Sequence, residues 1–443
     1  MIKYIAGGIL LFFLSCVPLI AYTNLGNGIY QSNGTAQDTQ AAINAAPTGS
    51  TVQIPNGSYL WTAAVTIPGR GIKLAGQSAG GVTITNNSSV DGIILVTEAK
   101  TQSIEVSALR IISGSPRGPE GSYHHMRVFR SPSGKPVLLH DCYFETKGGA
   151  VVYGVEWLTN GGVIWNCRFA SNYNFAGGIQ FKYGNNATWT TPSTMGVADV
   201  NGTANTYVED CTFTGMYLGC ADFDDDSRTV IRHCTIDNSA IYSHGQDTSP
   251  DGARHWEVYD NTFIYTANGS PPGFSKVVFP LNLQDWFTVR GGTGIIADNI
   301  FPNIQYKNIA IQMNVYSINR SSNSIPCQTQ YPAARQIGQT WIGAGGYSYP
   351  RAPIDGAGYS TDPIYIWGNT GTATSSPTFI GLNQYSPDEC GNGQLISNYV
   401  HAGRDYIMSK PKPGYAKYTY PHPLRNTVSP QNPAHRSPNK IGG

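Results

Sequence analysis

The densest chemistry in the 443-residue chain lies between Asp222 and Glu257. Asp222, Asp224, Asp225 and Asp226 are followed by Arg228, then by Tyr242, His244 and Asp247, then by Arg254 and His255. Carboxylates at this density act either as acid–base partners or as oxygen ligands for a hard cation. Asp222, Asp224 and Asp226 form the candidate cation set, with Ca2+ as the candidate ion. Asp222, Asp225, Asp226, His244, Asp247 and Arg254 are the candidate catalytic groups, because a His beside carboxylates moves protons near neutral pH. Arg228, Tyr242, His255 and the more distant Trp286 are candidates for holding a substrate. Every one of these groups also has a structural use. Asp runs build turns through local hydrogen bonds, a His can cap a backbone carbonyl, and Arg232 and Glu257 read as ion-pairing groups that satisfy a solenoid flank.

What must position these residues is a repeat. A polar residue or two, then Cys or Asn, then any residue, then an aromatic or aliphatic one recurs along the chain. It occurs at His140-Asp141-Cys142-Tyr143-Phe144, Trp165-Asn166-Cys167-Arg168-Phe169 and Glu209-Asp210-Cys211-Thr212-Phe213, and again around Cys234, Asn261 and Asn299, with echoes at Asn369 and Asn398. Successive markers stand 25 residues apart from Cys142 to Cys167, 23 from Cys211 to Cys234 and 27 from Cys234 to Asn261. A period of this size signals a solenoid, whose units bury their apolar faces only by stacking. The segments between markers, such as Val163-Ile164-Trp165 and Thr229-Val230-Ile231, are short, β-branched or aromatic, and bounded by turn residues, so the unit is built of strands. A run at Asp38–Ala46 with Asp38 as N-cap reads as a short helix closing the open end of the stack.

Position relative to the marker is then a ruler for vertical neighbours. Asp222 and Asp224 stand 11 and 13 residues after Cys211, while His244 and Asp247 stand 10 and 13 after Cys234. The ruler places Asp224 beside Asp247 and His244 near Asp222. Arg228 precedes its marker by six residues, and Arg254 and His255 precede theirs by seven and six.

Charged residues make up 12% of the chain, and 28 Lys+Arg balance 27 Asp+Glu to a net charge of +1. That excludes the basic footprint of a nucleic-acid-binding protein. Residues 1–21 read as a secretory signal, with Lys3 at the start, an apolar centre from Ile9 to Leu14 and Leu19-Ile20-Ala21 as the cleavage site. The Phe13-to-Cys16 stretch is a weaker reading as a lipid-attachment box. No other stretch is apolar and long enough to span a bilayer, so the expectation is a secreted or periplasmic monomer with no organic cofactor. Residues 22–60 read as cap and first strands, 61–417 as the solenoid with an insertion at about 302–360, and 418–443 as a Pro-rich tail. Tyr183, Trp189, Trp286, Tyr316 and Trp341 offer faces for sugar stacking or for packing the insertion. Cys142, Cys167, Cys211 and Cys234 read as interior stackers, with Cys142–Cys167 or Cys211–Cys234 bonds conceivable, and Cys327–Cys390 as a disulfide of an exported chain. Neither CxxC nor Cys/His zinc spacing occurs.

The opening Asp38-x-Gln40-Ala41-Ala42-Ile43-Asn44-Ala45-Ala46, then Val52-x-Ile54-Pro55-x-Gly57-x-Tyr59, and the repeated Asn/Cys-Thr-Phe coil ends resemble the pectate-lyase-like superfamily. Arg228-Thr229-Val230-Ile231-Arg232-His233, His244-Gly245-Gln246-Asp247 and Glu257-Val258-Tyr259-Asp260-Asn261 resemble its secreted bacterial members, as do Ala402–Tyr406 and Tyr420–Leu424. The resemblance implies an all-β, single-stranded right-handed parallel β-helix acting on a polysaccharide. Three activities remain open. A lyase performing β-elimination must neutralise a uronate with Ca2+ or Arg and remove its C5 proton with a base. A hydrolase of the polygalacturonase-like type must flank the bond with two carboxyl groups, and Asp225-Asp226 followed by His244-Gly245 partly matches that pattern. No Asn-Thr-Asp precedes the pair and no Arg-Ile-Lys follows. The third is a non-catalytic glycan-binding or cell-surface-binding protein.

Overall fold

The computed structural model describes residues 22–97, 102–114, 123–129, 134–146, 152–171, 176–183, 198–216, 219–244, 253–264, 285–304, 309–314, 363–373, 380–383 and 400–428. Among them, strands form three sheets of 13, 10 and 10 members, here A, B and C. Every pairing is parallel except that of Thr23–Gly26 with Ile29–Gln31 at the N-terminal edge. The chain visits A, B and C in turn and climbs one rung per circuit, which is a right-handed parallel β-helix.

The repeat marker is the corner between sheets A and B. Strands Val137–His140 and Tyr143–Thr146 are separated by only Asp141 and Cys142. The first corner residue takes left-handed backbone at Asp141, Asn166, Asp210, His233, Asp260 and Asp298, with φ of 51 to 56°. Asn and Asp tolerate that region because their short side chains bond locally, which is why a polar residue precedes the marker at these corners; before Asn369 the place is taken by Gly368, with φ of 65°. The marker side chain turns inward. Asn261 Nδ2 donates to Asn299 Oδ1 at 3.0 Å and Asn299 Nδ2 to Asn369 Oδ1 at 2.9 Å, so the amides form a ladder along the axis.

Lower in the stack the same column is Cys142, Cys167, Cys211 and Cys234, all buried and free. Thiols one rung apart, about 4.8 Å, are too distant for the close Cβ approach a disulfide needs. Each of Cys167, Cys211 and Cys234 instead points its sulfur at the carbonyl two residues back, at 3.3 to 3.4 Å. Cys327 and Cys390 lie outside the described residues, as do residues 1–21, expected to be a leader, and Trp189, Tyr316 and Trp341.

Two residues beyond most markers an aromatic enters the core, with Ile236 taking that place after Cys234. Phe144, Phe169 and Phe213 stack at 5.1 and 4.9 Å with rings within 10° of parallel. Replacing Phe169 by Ala empties the middle of that column and is expected to cost about 3–5 kcal/mol in chemical denaturation. A loss below about 1 kcal/mol would mean that the column closes up around the gap.

The cap is present as Ala36–Ala45, but its N-cap is Thr35 and not Asp38. Asp38 sits one turn in, where its carboxylate accepts from Asn33 N at 2.7 Å while Thr35 Oγ1 accepts from Asp38 N. The insertion expected from residue 302 begins later. Ile300–Ile304 and Ile309–Asn314 are strands of sheets B and C.

The segment expected to be a tail from Tyr418 is part of the fold as far as Val428. After the last strand of sheet A, Tyr406–Met408, the chain turns back and descends the outer face of that sheet. Tyr415 meets Trp367 and donates to Glu257 at 2.7 Å, and Lys417 bridges Asp260 and Asp298 at 2.7 Å each. The carbonyls of Tyr418 and Thr419 accept from Arg232, Tyr420 donates to Asp210, and Arg425 reaches Glu209 and the ring of Trp165. This strap explains the buried outer face of sheet A, where Leu138, Val163, Tyr207, Val230 and Ile295 have no solvent contact worth the name. Arg232 and Glu257 are structural groups, though not partners of each other. Register sets Arg232 beside Tyr259, so Arg232 pairs with Glu209 and Glu257 with His255 and Tyr415.

Candidate active site on sheet C

Sheet C differs from the other two sheets in its connections. Long stretches between strands, including 265–284 and 315–362, lead into or out of its strands, whereas the A-to-B corners from Val137 onward take two residues. Its strands run from three to six residues. In Ala221–Phe223, Ala221 and Phe223 enter the core and Asp222 faces out. Register aligns Gln180, Asp222, Tyr242 and Thr288 in one outward column.

A second column forms at the corner where sheet C ends. Phe181, Phe223, Ser243 and Val289 are rung neighbours, so the residues after them, Lys182, Asp224, His244 and Arg290, stack in turn. Backbone bonds fix that order: Asp224 N donates to Phe181 O at 2.9 Å, His244 N to Phe223 O at 2.8 Å and Arg290 N to Ser243 O at 3.1 Å. The rung neighbour of Asp224 is therefore His244. Asp247, which the spacing ruler had placed there, lies outside the described residues.

The two columns meet at Asp222. His244 Nε2 lies 2.8 Å from Asp222 Oδ1, while Asp222 Oδ2 accepts from Tyr153 OH at 2.9 Å and from Gln180 Nε2 at 3.2 Å. Arg290 Nη2 is 2.6 Å from the same His244 nitrogen. One nitrogen cannot donate to the carboxylate and accept from the guanidinium at once. The charges decide for donation to Asp222: burial and Arg290 oppose the imidazolium, but Asp222 and Asp224 outweigh them and raise the His244 pKa to about 10. Asp222 is held low: burial works against its charge, but His244, Arg290 and the Tyr153 hydrogen bond prevail. Asp224 goes the other way. Burial, together with the nearby Asp225 and Asp222 charges, lifts its pKa to about 7 against the pull of His244 and Lys182. Two carboxylates with separated pKa values, one fixed as an anion and one poised near neutrality, are the signature of divided acid–base roles.

Tyr153 reaches Asp222 because Gly177 lies beneath its ring. A Cβ at Gly177 would meet ring atoms at 2.2 Å. The other face of the ring system stacks with His124, centroids 6.1 Å apart. Beside it stands a second polar cluster in which Asp91 contacts His124 at 2.9 Å and Arg127 at 3.0 Å, and Arg127 also pairs with Glu156.

Several expected site residues are elsewhere. Asp225 and Asp226 form the corner itself, with φ of 40° and 61°, and Asp226 is fully buried, so they do not flank a groove as a hydrolytic pair. Trp286 packs inside against Phe263 and Phe301 and offers no face to a sugar. His255 is fully buried beneath the strap and bonded to Glu257 at 3.1 Å; burial, Arg228 and Arg254 lower its pKa against the effect of Glu257. Arg228 and Arg254 are buried at the same corner. Tyr242 remains on the outward face, half-buried over Gly219.

The Ca2+ set Asp222, Asp224 and Asp226 does not fit a cation. Asp222 Oδ2 accepts from Tyr153 and Gln180, its Oδ1 faces the His244 cation at 2.8 Å, and Asp226 is buried at the corner. Among the described residues, the group whose ligand atoms converge is Asp91, His124 and Glu156, and there the Arg127 guanidinium already faces both carboxylates.

Arg290, Tyr153, Gln180 and Lys182 were not singled out in the sequence. Arg290 follows its strand as His244 follows its own, but the insertion at 265–284 breaks the spacing ruler.

No protein-family model and no curated protein matches the chain. Among solved structures, it is similar to an alginate lyase from Paenibacillus sp. str. FPU-7, at 12% identity and a TM-score of 0.40, over 80% of this chain and 99% of that one. It is also similar to a PL6 family polysaccharide lyase from Pseudopedobacter saltans, at 12% identity and a TM-score of 0.40, over 91% and 94% of the two chains. A mannuronan C-5 epimerase A-module from Azotobacter vinelandii matches at 14% identity and a TM-score of 0.35, over 87% and 95%. Similarity at this level leaves the chemistry to be read from the site's own residues.

Proposed function

We propose that the chain is an exported polysaccharide lyase that cleaves a uronate-containing glycan by β-elimination on the outer face of sheet C. The observation that carries this reading is the corner column in which Asp224, poised near neutrality, stands beside the His244 imidazolium, with the Arg290 guanidinium one rung further on. β-Elimination asks for that set. A positive pair must hold the uronate carboxylate so that the C5 proton becomes acidic, and a base with a pKa near the working pH must remove it. His244 and Arg290 take the first role and Asp224 the second. The C5–H bond breaks to Asp224, the C4=C5 double bond forms, and the C4–O4 bond breaks. The leaving oxygen takes its proton from Tyr242, next to Asp222 in the outward column. Asp222 is a positioning residue that keeps His244 charged.

The test is an incubation of the mature protein with polyuronates and neutral glucans, with and without Ca2+, reading ultraviolet absorbance and new reducing ends together. Absorbance with a polyuronate supports the lyase. Reducing ends without absorbance would indicate hydrolysis, and silence in both channels a binding protein. The rate should follow a bell in pH. It rises as Asp224 loses its proton near 7 and falls as His244 loses its own near 10. A profile flat from pH 5 to pH 9 would remove Asp224 from the base role.

A further inference from the structure

The outer face of sheet B carries a column that the proposed reaction does not use. Register aligns Thr83, Arg110, Tyr143, Arg168, Thr212, Thr235 and Thr262 on seven consecutive rungs. All face outward, half-buried or exposed. Arg110 and Arg168 bracket the ring of Tyr143, their guanidinium carbons 5.0 and 5.4 Å from its centroid. The stacking fixes two long cationic side chains about two rungs apart, roughly 9.6 Å. Arg110 shares its charge with Glu145 at 3.1 Å. Arg168 has no carboxylate within ion-pair distance among the described residues. The patch Arg110–Glu145–Arg168 therefore keeps an uncompensated positive charge, and the threonine hydroxyls continue it along the axis.

We propose that this face is a second, non-catalytic binding surface for an extended anionic polysaccharide lying along the helix axis. Arg168 and Arg110 would hold acidic groups of the polymer, and Thr212, Thr235 and Thr262 would offer hydroxyls to its sugars at one-rung intervals. The charge selects the ligand class, since a neutral polymer gains nothing from an unpaired guanidinium. The straight run fits a chain-like ligand, because the sheet repeats every 4.7–4.9 Å and its A-side corners from Arg110 to Thr262 are no longer than two residues. The choice of an acidic glycan over another polyanion rests on the proposed function; the surface itself does not depend on turnover.

Affinity electrophoresis of the mature chain through gels containing alginate, polygalacturonate or a neutral glucan tests it, using the His244→Ala variant so that the polymer is not consumed. Retardation by a polyuronate is expected, and Arg110→Ala with Arg168→Ala in the same chain should weaken it several-fold. Glu145→Gln should strengthen it, because it frees Arg110. With His244 intact, the double Arg variant should cleave short oligouronates as fast as the parent does. Equal retardation of the double variant, no retardation by either polyuronate, or equal retardation by the neutral glucan would each overturn the proposal. A chain that is retarded through these arginines yet cleaves nothing would sink the lyase and leave the surface standing.

Discussion

His244→Ala is expected to lower turnover of a polyuronate by about 10²–10⁴-fold, the range for loss of a positioned group in proton-transfer chemistry. The side chain is 18% exposed, enough to meet a ligand, and its Nε2 lies 2.8 Å from Asp222 and 2.6 Å from Arg290. Its removal deletes half of the positive pair facing the uronate carboxylate and leaves the buried Asp222 with the hydrogen bonds of Tyr153 and Gln180 and the charge of Arg290. Asp222→Asn gives the finer test. It keeps the size of the side chain but withdraws the charge that sustains the imidazolium, so the alkaline limb of the rate profile should move down from about 10 toward neutral pH. A loss of rate with no displacement of that limb would mean that Asp222 acts on something other than His244. Native circular dichroism in both variants separates these effects from misfolding.

Arg232→Ala should destabilise the chain by about 3–5 kcal/mol, the usual result of removing one partner of a buried ion pair. Arg232 is fully buried, gives Nε to Glu209 at 2.9 Å and Nη1 to Tyr259 OH at 3.0 Å and to the Tyr418 carbonyl at 2.7 Å, and lies over the rings of Tyr207 and Tyr420. Its loss strips Glu209, itself without solvent contact, of its nearest cation and unbinds two strap carbonyls. The strap should then open before the coils do. Limited proteolysis is expected to cut between residues 409 and 428 in the variant and not in the parent, alongside a lower denaturation midpoint. Unchanged protection of that segment would show that Arg425 and Lys417 hold it unaided.

The winding of this chain was determined locally. Each Asn/Asp before a Cys or Asn marker specifies a left-handed corner, and each aromatic two residues on specifies an inward position, so repeats such as Asp141-Cys142-Tyr143-Phe144 disclose the solenoid without reference to anything distant. The same ruler brought His244 to Asp222, because only short connections separate them from their markers.

What the tertiary structure alone decided depends on chain segments far apart in sequence. Arg290 joined the site across an insertion that no spacing rule can measure. Tyr153 reached Asp222, 69 residues away, only because Gly177 leaves its ring room. Residue type could not reveal that Trp286 turns into the core, or that His255 lies beneath a Pro-rich strap bonded to sheet A mainly through side chains, which leave no period to read. A periodic backbone is written in every repeat, whereas the site is written in the few places where register, a missing Cβ and a returning segment coincide.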